Sequence, residues 1–227
     1  MNWQDEGYLL SKIKFRENAI IISVFTNNFG KISGIVYGGS SRKIRNFLQI
    51  SNKIFIFYNQ KNTSKVGYFK TELLKPIAPK FFENKEKTSA LLSLTSILNS
   101  LLPESQPNKK IYSSLTSLVN NLDQKNWIIL YIYWELNLIK ELGFDTDLKN
   151  IQMINQSKKN DVINVEIDNT NYKIPTFLIN DRVEVVDDNK LIRVALSFTR
   201  TVLLNKFFIP NNLIFPKSRI LLENYFN

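Results

Sequence analysis

The sequence predicts an α+β protein: a small N-terminal β-barrel of five strands, followed by an α-helical domain that carries one small β-hairpin. Three observations lead there. Stretches rich in Ile, Val, Phe and Tyr, several with two-residue alternation, crowd residues 1–75. Apolar residues recur at spacings of three and four across 87–142 and again across 188–207. Glycine and proline separate the two regions: six of seven glycines lie at or before Gly67, and all seven prolines lie at or after Pro76.

The strands read in order as "EGYLLSKIKF" (6–15), "AIIISVFT" (19–26), "KISGIVYG" (31–38), "NKIFIFYN" (52–59) and "VGYFKTELL" (66–74). "RENA" (16–19) and "TNNFG" (26–30) have the length of hairpin connections. A longer non-strand link separates the third strand from the fourth. That count and that gap suit an OB-fold, although other small barrels share the pattern. Pro76 and Pro79 in "KPIAP" (75–79) oppose regular structure and set the expected boundary between a domain of residues 1–75 and one of 80–227.

The second domain begins with three helical patterns. Leu91, Leu94, Leu98 and Leu101 mark 87–102, and Ile111, Leu115, Leu118 and Leu122 mark 108–122. Trp127, Tyr131, Trp134, Leu138 and Leu142 stripe 124–142, whose other faces are also apolar, as in a central buried helix. Gly143 should end it. "VINVEI", "DNTN" and "YKIP" predict a hairpin within 160–175. Leu191, Val194, Ala195, Phe198 and Val202 return to helical spacing in 188–207, and a last short helix follows Pro216.

Composition removes whole classes of chemistry. The chain has no cysteine and no histidine, which excludes disulfides, thiolate nucleophiles, sulfur-ligated zinc, His-ligated metals and Ser-His catalysis. "MNWQDEGYLL" lacks the features of a signal peptide, and the longest apolar run, "WIILYIYW" (127–134), is far short of the roughly 18 residues of a membrane span. The expected location is the cytoplasm. Gly30-Lys31 is followed by Ile32, so no phosphate-binding P-loop exists, but Gly38-Gly39-Ser40-Ser41 has the composition of an anion nest. Asp5-Glu6, Asp145, Asp147 and Asp187-Asp188 read as caps and turns. Glu135, inside the most apolar helix, needs a structural partner. The expectation is a non-enzyme with no cofactor, no metal, no small-molecule substrate and no membrane.

The charge points to an anionic partner. Formal net charge is +10 and the pI about 9.6. Residues 1–75 hold twelve Lys and Arg against four Asp and Glu, so the excess belongs almost wholly to the barrel. Lys12, Lys14 and Arg16 alternate along the first strand and should share a face. Arg42, Lys43 and Arg45 follow in "GGSSRKIRNF" (38–47), and Lys31 and Lys53 complete the candidate set for nucleic-acid backbone. Tyr8, Phe15, Tyr37, Phe47, Tyr58, Tyr68 and Phe69 accompany them. Most belong to a barrel core, and one or two exposed rings would serve to stack bases. The rival reading is a basic scaffold that contacts an acidic protein and never DNA.

Five ordered motifs resemble one family, the RecO recombination mediators of bacterial DNA repair. They are the opening Trp3, Asp5, Glu6, Gly7 and Leu10; "ENA" through "VYG" (Glu17 to Gly38); "LPESQPNKKIY" (102–112); "YIYWELNLIKELGFDTDL" (131–148); and the pair "KIPTFL" (173–178) and "FPKSRILL" (215–222). The resemblance implies an N-terminal OB-fold and a helical C-terminal domain. It implies binding to single- and double-stranded DNA, annealing of complementary strands, and help in loading RecA together with RecR. It also implies contact with the acidic C-terminal tail of single-stranded DNA-binding protein, for which Lys109, Lys110, Lys125 and Lys140 are the candidate cations, and association with the nucleoid during repair. The chain departs from the family at three places. Members often carry four zinc-binding cysteines, yet Ile151 stands at the first such position. Ile50-Ser51 replaces a Pro-Gly pair, and Arg16 replaces a glycine.

Overall fold

Five strands close a barrel in the first third of the chain: β1 (Asn2–Arg16), β2 (Ala19–Thr26), β3 (Gly30–Tyr37), β4 (Lys53–Asn59) and β5 (Tyr68–Lys75), in the order β1-β2-β3-β5-β4. The computed structural model describes residues 2–39, 41–60, 66–146, 148, 162–179 and 186–226. The long β1 serves both sides, pairing with β4 through Asn2–Tyr8 and with β2 through Gly7–Arg16. A parallel contact of β3 and β5 at Ile35 and Tyr68 closes the ring, with the Ile35 N–H donating to the Gly67 carbonyl at 2.9 Å. This is an OB-fold. Its core is the inward set of each alternating strand, including Leu9, Ile22, Val24, Ile32, Val36, Ile54, Ile56 and Phe69.

The link 38–47, expected to be a loop, contains a helix, α1 (Arg42–Phe47). Six residues are too few to display a helical period in a sequence. Ser41 caps it, its hydroxyl accepting from the Ile44 N–H at 3.4 Å. The spacing of Ile44, Phe47 and Leu48 then lays one face on the barrel, where Leu48 is fully buried. Two of the amides in this stretch are already bonded within the chain, which counts against an anion nest. The Gly38 N–H donates to the Asn18 carbonyl at 2.8 Å and the Ser41 N–H to the Gly38 carbonyl at 2.9 Å. Ser40 lies outside the described residues. Gly39 is needed for close approach, since a Cβ there would stand 2.5 Å from Ile20 Cγ1 and 3.1 Å from the Val36 carbonyl oxygen. Gly39→Ala should therefore cost about 1–3 kcal/mol of stability by overpacking, measurable by urea unfolding.

Pro76 and Pro79 end β5 and admit only a 3-10 turn, Ala78–Phe81, before α2 (Lys85–Leu101), which packs against β1. Asn52 holds this passage, its side-chain oxygen accepting from the N–H groups of Ile77 (2.8 Å) and Ala78 (2.9 Å). After α2, Glu104 forms an isolated parallel bridge with Lys31 of β3. The chain accordingly divides into two compact units: Met1–Tyr112 with Pro216–Arg219, and Ser113–Phe215 with Ile220–Asn227. The first unit runs past the 75–79 segment because α2 and the bridge after it pack on the barrel.

The remaining elements are α3 (Lys109–Asn121), α4 (Trp127–Glu141), the hairpin β6 (Val162–Ile167) and β7 (Thr170–Pro175), α5 (Asn189–Leu203) and α6 (Lys217–Asn224). As its composition predicts, α4 is buried along most of its length. Gly143 ends it at φ +100°, with the Phe144 N–H reaching back to the Ile139 carbonyl at 3.1 Å. Glu135 is completely buried and accepts from the Tyr131 hydroxyl (2.9 Å) and the Thr199 hydroxyl of α5 (2.6 Å). Beyond Leu203, one π-helical turn (Leu204–Phe208) replaces the continuous α-helix expected to 207.

Asp168 and Asn169 turn the hairpin with φ of +50° and +57°, the pattern of a two-residue type I′ turn. Tyr172 meets the Phe198 ring edge-on at 5.4 Å, and Lys206 pairs with Asp168 while lying 4.6 Å from the Phe144 ring centroid. Side chains of α5 and its extension thus hold this hairpin. Residues 160–161 of the expected span, Asp147 and Ile151 lie outside the described residues. Two of the other acids do cap and turn: Asp5 accepts from the Asn28 N–H (3.1 Å) and amide (3.2 Å), and Asp188 caps α5 through the Lys190 N–H at 2.8 Å, whereas Glu6, Asp145 and Asp187 pair with Lys53, Lys140 and Lys125. Ser51, at the Pro-Gly position, adopts φ +80° and donates its N–H to the Leu9 carbonyl at 2.8 Å.

Candidate nucleic-acid interface

The helix that sequence periodicity missed builds the main basic site. With Ile44 and Phe47 on the barrel, Arg42 and Arg45 are exposed and share a face, three residues apart. Arg45 then meets Lys12 and Lys14 of β1 around a cavity of about 390 Å³. Ile13, Ile20 and Leu48 supply apolar lining, and Glu17 adds one acid to the rim. Lys12 donates to the Leu48 carbonyl at 2.8 Å, which spends one of the three ammonium donors and braces the end of α1. The side chain of Lys43 lies outside the described structure.

Arg16 departs from the stripe. The β1–β2 register shifts between Lys14 and Arg16, which interrupts the alternation, and the Arg16 guanidinium lies 5.1 Å from the Phe15 ring centroid. Arg16 is exposed but does not line the cavity.

Lys31 and Lys53 are largely drawn into the barrel, unlike Lys12 and Lys14. Only 11% of the Lys31 side chain is exposed; its ammonium donates to the Asn99 carbonyl at 2.8 Å and lies 4.0 Å from the Glu104 carboxylate. Burial holds its pKa below the usual lysine value, with Glu104 pulling the other way. Lys53 pairs with Glu6 and sits near the Tyr8 ring, so its charge is met within the barrel. Lys31→Met should leave the salt dependence of DNA binding unchanged. It should also remove a stability gain with rising pH. Between its lowered pKa and 10.5 the folded chain has released a proton that the unfolded chain still holds, so this lysine makes stability rise through that window. Unfolding titrations on both proteins test this.

The four candidate tail-binding lysines do not form one cluster. Lys109 and Lys110 open α3 and are exposed. Lys125 lies 3.6 Å from Asp187, and Lys140 lies 2.7 Å from Asp145. They flank opposite ends of α4, roughly 22 Å apart at 1.5 Å per residue.

Among the aromatics, Tyr8 and Phe69 are core, whereas Tyr37 is 61% exposed and Phe15 is also exposed. A second concavity, of about 760 Å³, opens on the first half of β1 beside β4 and β5. Trp3 supports it, stacked between Phe29 (3.9 Å) and Tyr58 (4.8 Å). Phe57 and Lys70 line it, and neither was a sequence candidate. The signal was present in "KIFIFYN", where the outward positions of a strand carry Phe55 and Phe57 although the inward ones already supply the core.

Comparison with known proteins agrees with this architecture. The family model for the N-terminal domain of recombination protein O matches residues 1–77, and that for its C-terminal domain matches residues 83–151. The DNA repair protein RecO of Ehrlichia chaffeensis is 33% identical over 160 residues, 70% of this chain and 65% of its own length. That of Hyphomonas neptunium is 34% identical over 151 residues, 65% of this chain and 62% of its own length. The match to these two relatives thus spans somewhat under two thirds of their length. That of Rickettsia canadensis is 30% identical over 225 residues, covering 93% of this chain and 91% of its own. With both domain models in order and a relative matched almost end to end, the chain belongs to the RecO family.

Proposed function

We propose that this chain is a recombination mediator in DNA repair. It binds single- and double-stranded DNA, anneals complementary strands, and helps load RecA, together with RecR, on DNA coated with single-stranded DNA-binding protein. The observation that carries this reading is the convergence of Lys12, Lys14 and Arg45 on one cavity, with Arg42 on the same helix face. Two DNA strands repel each other. A surface that neutralises phosphates releases counterions and lowers that repulsion without reading sequence. The work is positional and needs no bond chemistry. Lys109 and Lys110 are the better candidates for the acidic tail of single-stranded DNA-binding protein, because they set two exposed cations side by side, whereas Lys125 and Lys140 stand at opposite ends of α4. No helix among the described residues is long and apolar enough to cross a membrane.

The test is annealing of complementary oligonucleotides, bare and coated with single-stranded DNA-binding protein. The chain should accelerate both reactions, and added salt should abolish the acceleration. No acceleration at about 50 mM salt, where phosphate contacts are strongest, would overturn the reading.

A further inference from the structure

The outer face of β1, β4 and β5 carries an arrangement that the barrel itself does not require. Ladder pairing sets Gln4, Phe57 and Lys70 side by side in one row, and Asn2, Asn59 and Tyr68 in the next. Side chains directly opposite on neighbouring strands point to the same face. Phe57 therefore stands at the centre of a small grid, 38% exposed, while its strand neighbour Ile56 is fully buried in the core. Phe55 meets Phe57 edge-on, with centroids 5.0 Å apart and planes at 73°, which supports the ring and leaves a face towards solvent. Amide side chains flank it on one side and an exposed ammonium on the other. Phe57, these amide residues, Tyr68 and Lys70 line the concavity of about 760 Å³, together with Glu72.

We propose that this face is a base-stacking site for unpaired nucleotides, separate from the phosphate groove around Lys12, Lys14 and Arg45. The inference rests on the mediator reading and deepens it. Phe57 supplies the stacking plane, Gln4, Asn2 and Asn59 supply hydrogen-bond groups for base edges, and Lys70 takes a phosphate. Glu72, which also lines the concavity, stands across from Phe55 in the row beyond Phe57 and repels phosphate there, whereas Glu6 of the same row is paired with Lys53. The strand therefore crosses the Phe57 and Asn59 rows. A peptide is the poorer occupant. β4 is paired on both sides, so its main chain has no free edge to hold an added strand. Ten residue steps along β1 separate Gln4 from Lys14, up to about 33 Å of strand, so the two sites engage different stretches of nucleic acid. A duplex keeps its bases stacked internally and offers this face nothing to stack upon.

The experiment compares the full chain with Phe57→Leu and Phe57→Tyr, measuring affinity for a single-stranded oligonucleotide and for a matched duplex. Leucine keeps an apolar contact with Phe55 but removes the ring. Phe57→Leu should weaken single-strand binding about tenfold and leave duplex binding within about twofold, whereas Phe57→Tyr should retain both. Unchanged single-strand affinity in Phe57→Leu, or equal losses on both ligands, would overturn the inference while the mediator reading stands. A wild-type chain that binds neither oligonucleotide would overturn the mediator reading, and this inference with it.

Discussion

Alanine at Glu135 should lower the thermal midpoint by about 6–12 °C, the consequence of a loss of about 3 kcal/mol in a chain of this size. The reason is local. Glu135 is completely buried on α4, and its two oxygens accept from Tyr131 one turn earlier and from Thr199 on α5. Tyr131 and Thr199 are themselves fully buried, so truncation leaves their hydroxyls without this acceptor and opens a void beside them. Glu135→Gln keeps the volume and one acceptor, and should lose less than Glu135→Ala. Calorimetry on the two variants measures the order. DNA affinity of Glu135→Ala, taken well below its melting temperature, should match the wild type. Loss of affinity before loss of stability would show that Glu135 belongs to a functional site.

The barrel was legible because its strands carry a period of two over seven or eight residues, and α2 to α5 because their apolar stripes run through several turns. The helix α1 was not, since its six residues display no period. Its existence depends on one serine cap and on a barrel opening that Leu48 fills. The same limit governs the basic residues. Lys14, Lys31 and Lys53 look alike in sequence, each a lysine in a half-buried strand. What separates them is distant: Glu6 lies 47 residues from Lys53, and the Asn99 carbonyl 68 residues from Lys31. Arg16 was misplaced for a different reason. A register shift of one residue breaks the face assignment of everything beyond it, and nothing in "KIKFRENA" announces the shift. Phe57 was passed over because aromatic residues in strands are ordinarily core, and only the paired register shows which of them face outward.

Replacing Lys14, Arg42 and Arg45 together by glutamine should weaken DNA binding on the order of 100-fold at about 50 mM salt, with little change in stability. All three side chains are exposed, and Gln keeps their apolar stems. The decisive quantity is the slope of log K against log salt. Each phosphate that the protein no longer neutralises should flatten it by about 0.7–0.9, so the slope of the triple variant should be shallower by roughly two to three units. Lys12 stays in place because its ammonium also ties the end of α1 through the Leu48 carbonyl, and its removal would mix a loss of charge with a shift of the helix that carries Arg45. Single- and double-stranded DNA should suffer together, since phosphates are common to both. That shared loss distinguishes this groove from the Phe57 face, where only unpaired bases are affected. Annealing should fall with the slope, because neutralising two strands at once is what brings them together. A triple variant that keeps the wild-type slope would mean that the groove does not touch the DNA backbone, and that the surplus positive charge of the barrel acts elsewhere on its surface.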